Sequence, residues 1–274
     1  CLRVARLVKA SSTIRTVHYV APTVWAWRPK RADHMAEVID HVLALFPFEP
    51  PYMQAAGMDC DFVGHPVVSE PQPSVQDVVN FRVQYGMEAA DPLLLVLPGS
   101  RRGEVSRLAP RLGEALRPVL AAHPGLRVVV PAAAPVAEMV IAAVADWPLV
   151  PKVLDPRGLD VDTAANAKRV AFAAADAALA ASGTVALELA AADTPMVSIY
   201  DMNWLSRRIV QRMMQIDTTN LINIVSETRT VPEFIGVQCR SDLIARGVLD
   251  LLQDPEPQRA AMRTTMDLLG RNGE

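Results

Sequence analysis

The chain has 274 residues, 51% of them hydrophobic, a formal net charge of −3 and three cysteines. Near-neutral charge without long basic runs excludes an extended duplex nucleic-acid footprint, although the cluster Arg28, Lys30, Arg31 suits a small anionic surface. The widely spaced Cys1, Cys60 and Cys239 give neither a disulfide framework nor a zinc site, no apolar run reaches the ~18 residues of a membrane span, and CLRVARLVKA lacks the core of a signal peptide. These features describe a cytosolic protein whose membrane contact, if any, is peripheral.

In chain order, the sequence opens on Cys1 already in a helical pattern (Leu2, Val4, Ala5, Leu7, Val8), which reads as a fragment of something longer. The apolar runs TVHYV, HVLAL and CDFVG follow, then a pause at residues 66–80 with three prolines, then LLLVL, LRVVV, AALAA and PMVSI. Alternation of such runs with segments of helical period predicts α/β architecture, parallel sheets covered by helices on both faces. The boundary is placed near Ser69. Residues 1–68 are then a partial first domain, too short for an ordinary doubly wound domain. Residues 69–91 form a linker and lead-in helix, and residues 92–252 a second, Rossmann-like domain. Residues 253–274 make a C-terminal helix with Ala260, Met262, Met266 and Leu269 at helical spacing.

Two strand-to-helix turns in the second domain are candidate anion sites, because loops beyond the carboxyl ends of parallel strands present free N–H groups. The first is Pro98-Gly99-Ser100-Arg101-Arg102. Gly99 permits close backbone approach, Ser100 offers a hydroxyl, and an arginine fork matches phosphate. It matches neither a Walker loop nor GxGxxG, and by itself the stretch reads first as a surface turn with two solvated arginines. The stripe Leu108, Leu112, Leu116, Leu120 predicts a helix behind it that starts near Ser106, because of Pro110, and kinks at Pro118. The second turn is Ser182-Gly183-Thr184, with Ser182 or Thr184 as helix cap. Glu188 lies four residues past Thr184, one turn deeper on the same face, where a carboxylate accepts both hydroxyls of a ribose. Together the two turns describe a nucleotide site.

These turns, with HYVAPTVWAWRPKR (His18 to Arg31), LFPFEPPYM (Leu45 to Met53), FVGHPVV (Phe62 to Val68) and NIVSETRTVPEFIG (Asn223 to Gly236), resemble the lipid-A-disaccharide synthases over nearly the whole chain and in the same order. The resemblance implies a two-Rossmann-domain fold of the GT-B glycosyltransferase type, with the first domain incomplete here. It implies an inverting transferase that needs neither metal nor cofactor. The donor is UDP-2,3-diacylglucosamine, the acceptor is 2,3-diacylglucosamine 1-phosphate, and the products are UDP and a β-1,6 disaccharide. By the same resemblance Gly99, Ser100, Arg101, Ser182, Gly183, Thr184, Glu188 and Asn223 bind UDP, and Arg101 stabilises the charge of the leaving group. The acidic residue cast as general base falls upstream of Cys1, so this stretch alone is expected to hold UDP weakly and turn over little. The family acts at the cytoplasmic face of the inner membrane, which implies peripheral association, with a homo-oligomer left open and no nucleic-acid partner. Trp25 and Trp27 read as packing, and His18 and His65 as structural. The competing readings are a UDP-N-acetylglucosamine 2-epimerase of the same architecture and a nucleotide-binding module without catalysis.

Overall fold

The computed structural model describes residues 1–202 and 216–271. It divides into two compact units: Cys1–Ser69, rejoined by the chain from Thr265, and residues 70–202 with Thr218–Thr264.

In the first unit, strands β1 (Val17–Tyr19), β2 (His41–Ala44) and β3 (Asp59–Phe62) pair in that order, all parallel. Helices α1 (Leu2–Ser11), α2 (Arg31–Ala36) and α3 (Pro50–Ala55) precede them in turn. Pro50 and Pro51 open α3, where a missing N–H costs nothing and a fixed φ suits the first turn. Val42, Ala44 and Met53 are fully buried between sheet and helices. The VGHP stretch has a local task here. Gly64 sits at φ +79, the amide of His65 donates to the carbonyl of Leu269 (3.0 Å), and His65 Nδ1 accepts from the amide of Val67 (3.1 Å). A Cβ on Gly64 would stand 3.2 Å from that same carbonyl.

The second unit begins with α4 (Val75–Gln84), started by a Ser74/Asp77 capping box. The Arg82 guanidinium of α4 donates to the carbonyls of Asp91 and Ala174 and to Asp176, whose carboxylate also accepts the first amide of β4. The sheet then runs β4 (Leu93–Leu97), β5 (Arg127–Pro131), β6 (Lys152–Leu154), β7 (Ala177–Ala181), β8 (Met196–Tyr200) and β9 (Glu233–Ile235), in spatial order β6-β5-β4-β7-β8-β9, all parallel. Every residue of β4 and β7 is buried, which is why both read as unbroken apolar runs. The chain works outward from β4 to β6 and then returns to β7, so the loops after β4 and β7 diverge and leave a crevice between them.

Helices α5 (Arg102–Ala122), α6 (Ala137–Val144), α7 (Val161–Ala174), α8 (Val185–Ala191), α9 (Leu221–Val225), α10 (Ser241–Gln253) and α11 (Glu256–Leu268) complete the described α-helices. Of the C-terminal stripe, Met262, Met266 and Leu269 are fully buried, whereas Ala260 is exposed.

Helix α5 corrects one expectation. It starts at Arg102, not near Ser106, and runs through both Pro110 and Pro118. An interior proline costs about 3 kcal/mol, but the first turns place Val105 and Leu108 in the core at 0% exposure. At roughly 1.5–3 kcal/mol per buried large aliphatic side chain, those two offset the proline. Trp147 closes the outer side of α5 at Gly113, where a Cβ would lie 2.5 Å from the indole. All seven apolar runs form strands; the three-residue β6 and β9 lie outside those runs.

Candidate functional site

The corner after β4 is shaped around a buried carboxylate. Gly99 has φ +110, and a Cβ there would lie 2.6 Å from both Cβ and Oε2 of Glu104, so only glycine fits. Glu104, three residues into α5 from the Arg101 cap, turns back over the corner: Oε2 accepts the amides of Ser100 (3.1 Å) and Arg101 (3.3 Å), and Oε1 accepts Arg101 Nη1 (2.7 Å). The rest of the Arg101 side chain points outward and is 79% exposed. Its guanidinium is held even more firmly in the charged form, chiefly by the hydrogen bond it donates to Glu104.

The corner after β7 is open by comparison. Ser182 donates its amide to Ile199 (2.7 Å), and its hydroxyl lies 3.4 Å from that of Thr219. Thr184 occupies the cap position of α8 in helical conformation and makes no side-chain capping bond, so the expected cap by Ser182 or Thr184 is not formed. The backbone has already turned helical at Thr184 (φ −62, ψ −20), which takes its hydroxyl out of capping geometry. Gly183 has open space where a Cβ would be. Glu188 pairs with Lys168 of α7.

Both corners line one cavity of about 750 Å³, within the range of small-molecule sites. Gly99, Ser100, Arg101, Ser182, Gly183, Thr184 and Glu188 all border it, as do Glu104 and Lys168. Its far wall is apolar except for Asp155: Ala132 to Ala134 beyond β5, Leu154 at the end of β6 and Pro156 beyond it, and Ala164 and Ala165 of α7. Asp155, at that wall, is bound by Arg157 and held below the usual carboxylate range. The cavity thus occupies the carboxyl ends of β6, β5, β4 and β7, at the point where the strand order reverses. Another cavity, of about 420 Å³ and lined by Pro232, Phe234, Leu243 and Gly247 among others, contains no residue of either corner.

Asn223 does not join the cavity. It is 1% exposed, and its amide bridges the backbone of Val231 in both directions, Oδ1 accepting the N–H (3.0 Å) and Nδ2 donating to the carbonyl (2.9 Å). Nδ2 also donates to Thr218 (3.2 Å) and Glu233 (3.4 Å). With its polar atoms bonded in this way, Asn223 holds the 218–233 loop and lies outside the cavity lining. Glu233 in turn accepts from the amide and hydroxyl of Thr219, so this network ends one hydroxyl away from Ser182.

In the first unit Trp25 is buried and donates to Glu49, whose other oxygen accepts the amides of Leu45 and Phe46. Burial raises the Glu49 carboxyl above its ordinary range despite those three donors. Burial also lowers His65, and it is the main cause of the lowering of His18. Sequence reading missed Glu104 and Lys168. Glu104 was open to discovery as an acid in the first turn of a helix; Lys168 carries no such signal, since only the fold sets α7 beside α8. Among the described residues, no group of three His, Cys, Asp or Glu side chains is arranged to hold a metal ion.

A sequence profile described as lipid-A-disaccharide synthetase matches residues 1–272. The chain belongs to the lipid-A-disaccharide synthetase family. The lipid-A-disaccharide synthase of Ruegeria pomeroyi is 62% identical over 272 residues, covering 99% of this chain and 68% of its own length. That of Rhodospirillum centenum is 45% identical over 260 residues, covering 94% and 63%. The chain therefore spans about two thirds of the length of these family members. Among solved structures, Anabaena Alr3699/HepE in complex with UDP and glucose superposes with a TM-score of 0.59 at 13% identity, over 98% of this chain and 71% of that one. At that identity the likeness concerns the fold, and it agrees with parallel α/β units of the kind that glycosyltransferases share.

Proposed function

We propose that this chain carries the nucleotide-sugar side of a lipid-A-disaccharide synthase, an inverting glycosyltransferase. It moves 2,3-diacylglucosamine from its UDP derivative to 2,3-diacylglucosamine 1-phosphate. The observation that carries the reading is the meeting of Arg101, the Ser182-Gly183-Thr184 turn and Glu188 around one cavity at the reversal of strand order. In it, Glu188 accepts the ribose hydroxyls and the outward Arg101 guanidinium meets the diphosphate. As UDP departs, charge grows on its β-phosphate, and a preorganised guanidinium lowers the barrier most when aimed there. Asn223 supports the site only through the Glu233–Thr219 network. The substrates are acylated, so the proposal includes peripheral attachment at the cytoplasmic face of the inner membrane. Among the described residues, no helix is long and apolar enough to cross a membrane.

The test combines turnover, measured on a protein of its relatives' full length because this stretch alone is expected to turn over little, with titration. UDP release that requires the acylated sugar-phosphate acceptor supports transfer. Formation of UDP-N-acetylmannosamine from UDP-N-acetylglucosamine without acceptor selects the epimerase reading, and UDP binding without turnover of any donor selects a non-catalytic module. Glu188→Ala should weaken UDP binding about tenfold or more, the effect of one charge-assisted contact. Arg101→Ala should lower turnover by about 10²–10³-fold while UDP binding falls less. Equal UDP titrations of the wild type and Glu188→Ala would remove the ribose assignment.

A further inference from the structure

The β4–α5 corner already contains an anion. Glu104 is 9% exposed, and its carboxylate takes two backbone amides and the Arg101 guanidinium of the very turn that the nucleotide reading assigns to phosphate. The pocket for it is built: α5 delivers the side chain, and Gly99 at φ +110 leaves room that a Cβ, 2.6 Å from Oε2, would close. A carboxylate at the start of a 21-residue helix also answers the helix dipole from within. Two of the amides that a phosphate would ordinarily find here, those of Ser100 and Arg101, are consumed, and the Arg101 side chain, 79% exposed, is left reaching out.

Building on the nucleotide reading above, we infer that Glu104 is a positioning residue: it holds the Arg101 guanidinium at the cavity and competes with the diphosphate of the bound nucleotide for it. A diphosphate arriving at Arg101 meets a cation whose field is partly cancelled by a carboxylate at 2.7 Å. Ground-state binding is weakened, and Arg101 engages fully only when the ligand carries enough charge to outbid Glu104, as the departing UDP does.

The experiment is calorimetric titration of the 274-residue chain with UDP and, separately, with uridine, which lacks phosphate. In Glu104→Gln the side-chain oxygen still accepts both backbone amides, but the charge and the hold on the guanidinium are gone. UDP should bind about five-fold tighter while uridine changes less than about two-fold; in an Arg101→Gln background the gain for UDP should shrink below about two-fold. An unchanged or weakened UDP affinity relative to uridine overturns the inference, as does an equal gain without Arg101. Structural damage to the turn would lower both ligands together, so the ratio separates positioning from folding. Should Glu104→Gln fail to fold, Glu104→Asp withdraws the carboxylate from Arg101 by one methylene, and an unchanged ratio there overturns the inference equally. A wild-type chain that binds neither UDP nor uridine removes the nucleotide reading together with this one. A wild type that binds both, paired with a Glu104 variant of unchanged ratio, removes this one alone.

Discussion

The corners after β4 and after β7 are assembled from the same parts: a fully buried strand, a glycine and a helix bearing a glutamate in its first turn. They treat the glutamate in opposite ways. Glu104 folds inward over its own turn and takes two of its amides, whereas Glu188 pairs sideways with Lys168, at the cavity. The first corner is closed on itself and presents an arginine; the second is open and presents a carboxylate. A strand-glycine-helix corner is therefore no anion site until the partner of its first acidic residue is known.

The glycines separate the corners most sharply. Gly99→Ala forces a side chain into φ +110 and into Glu104, and should cost roughly 2–4 kcal/mol in urea unfolding. Gly183→Ala meets open space at an ordinary φ and should stay within about 1 kcal/mol of the wild type. Equal costs would show that the first corner is not built around Glu104.

Next in size is Asn223→Ala, which leaves the buried N–H and carbonyl of Val231 without their partner. A loss of about 2–3 kcal/mol in stability is expected, with UDP affinity of the folded protein nearly unchanged. A selective loss of UDP binding at full stability would return Asn223 to the nucleotide site.

The smallest effect lies outside both corners. Burial lowers the pKa of His65, so the folded state resists protonating it. Its contribution is complete above the unfolded value near 6.5 and is lost as pH falls through the lower folded value. Stability measured from pH 7.5 to 5 should decline slightly, and less steeply in His65→Gln. An identical slope in that variant would exclude His65 from the acid response and leave His18, also lowered chiefly by burial, as the candidate.

Legibility followed the range of the interaction. The runs at β4 and β7 declared themselves because a parallel strand buried on both faces has nothing polar to show, whereas β6 and β9 are three-residue strands that stand in no longer apolar run. The start of α5 was misjudged because a local proline rule was outweighed by burial of Val105 and Leu108, which only the packed sheet supplies. The bonding of Asn223 was hidden for a related reason: an asparagine in a motif looks the same whether its amide faces a ligand or the backbone eight residues ahead.

The amino-acid order alone determined the parallel α/β class, the two corners and the candidate charges upon them, since each depends on residues within one turn of a helix or one strand. Tertiary structure decided which of those charges are free. Whether Glu104 answers its own turn, and whether Glu188 meets Lys168 twenty residues earlier in the chain, depends on side chains brought together by a sheet whose strand order reverses between β4 and β7. Electrostatic contacts act through space, and sequence spacing encodes that distance only within a single element.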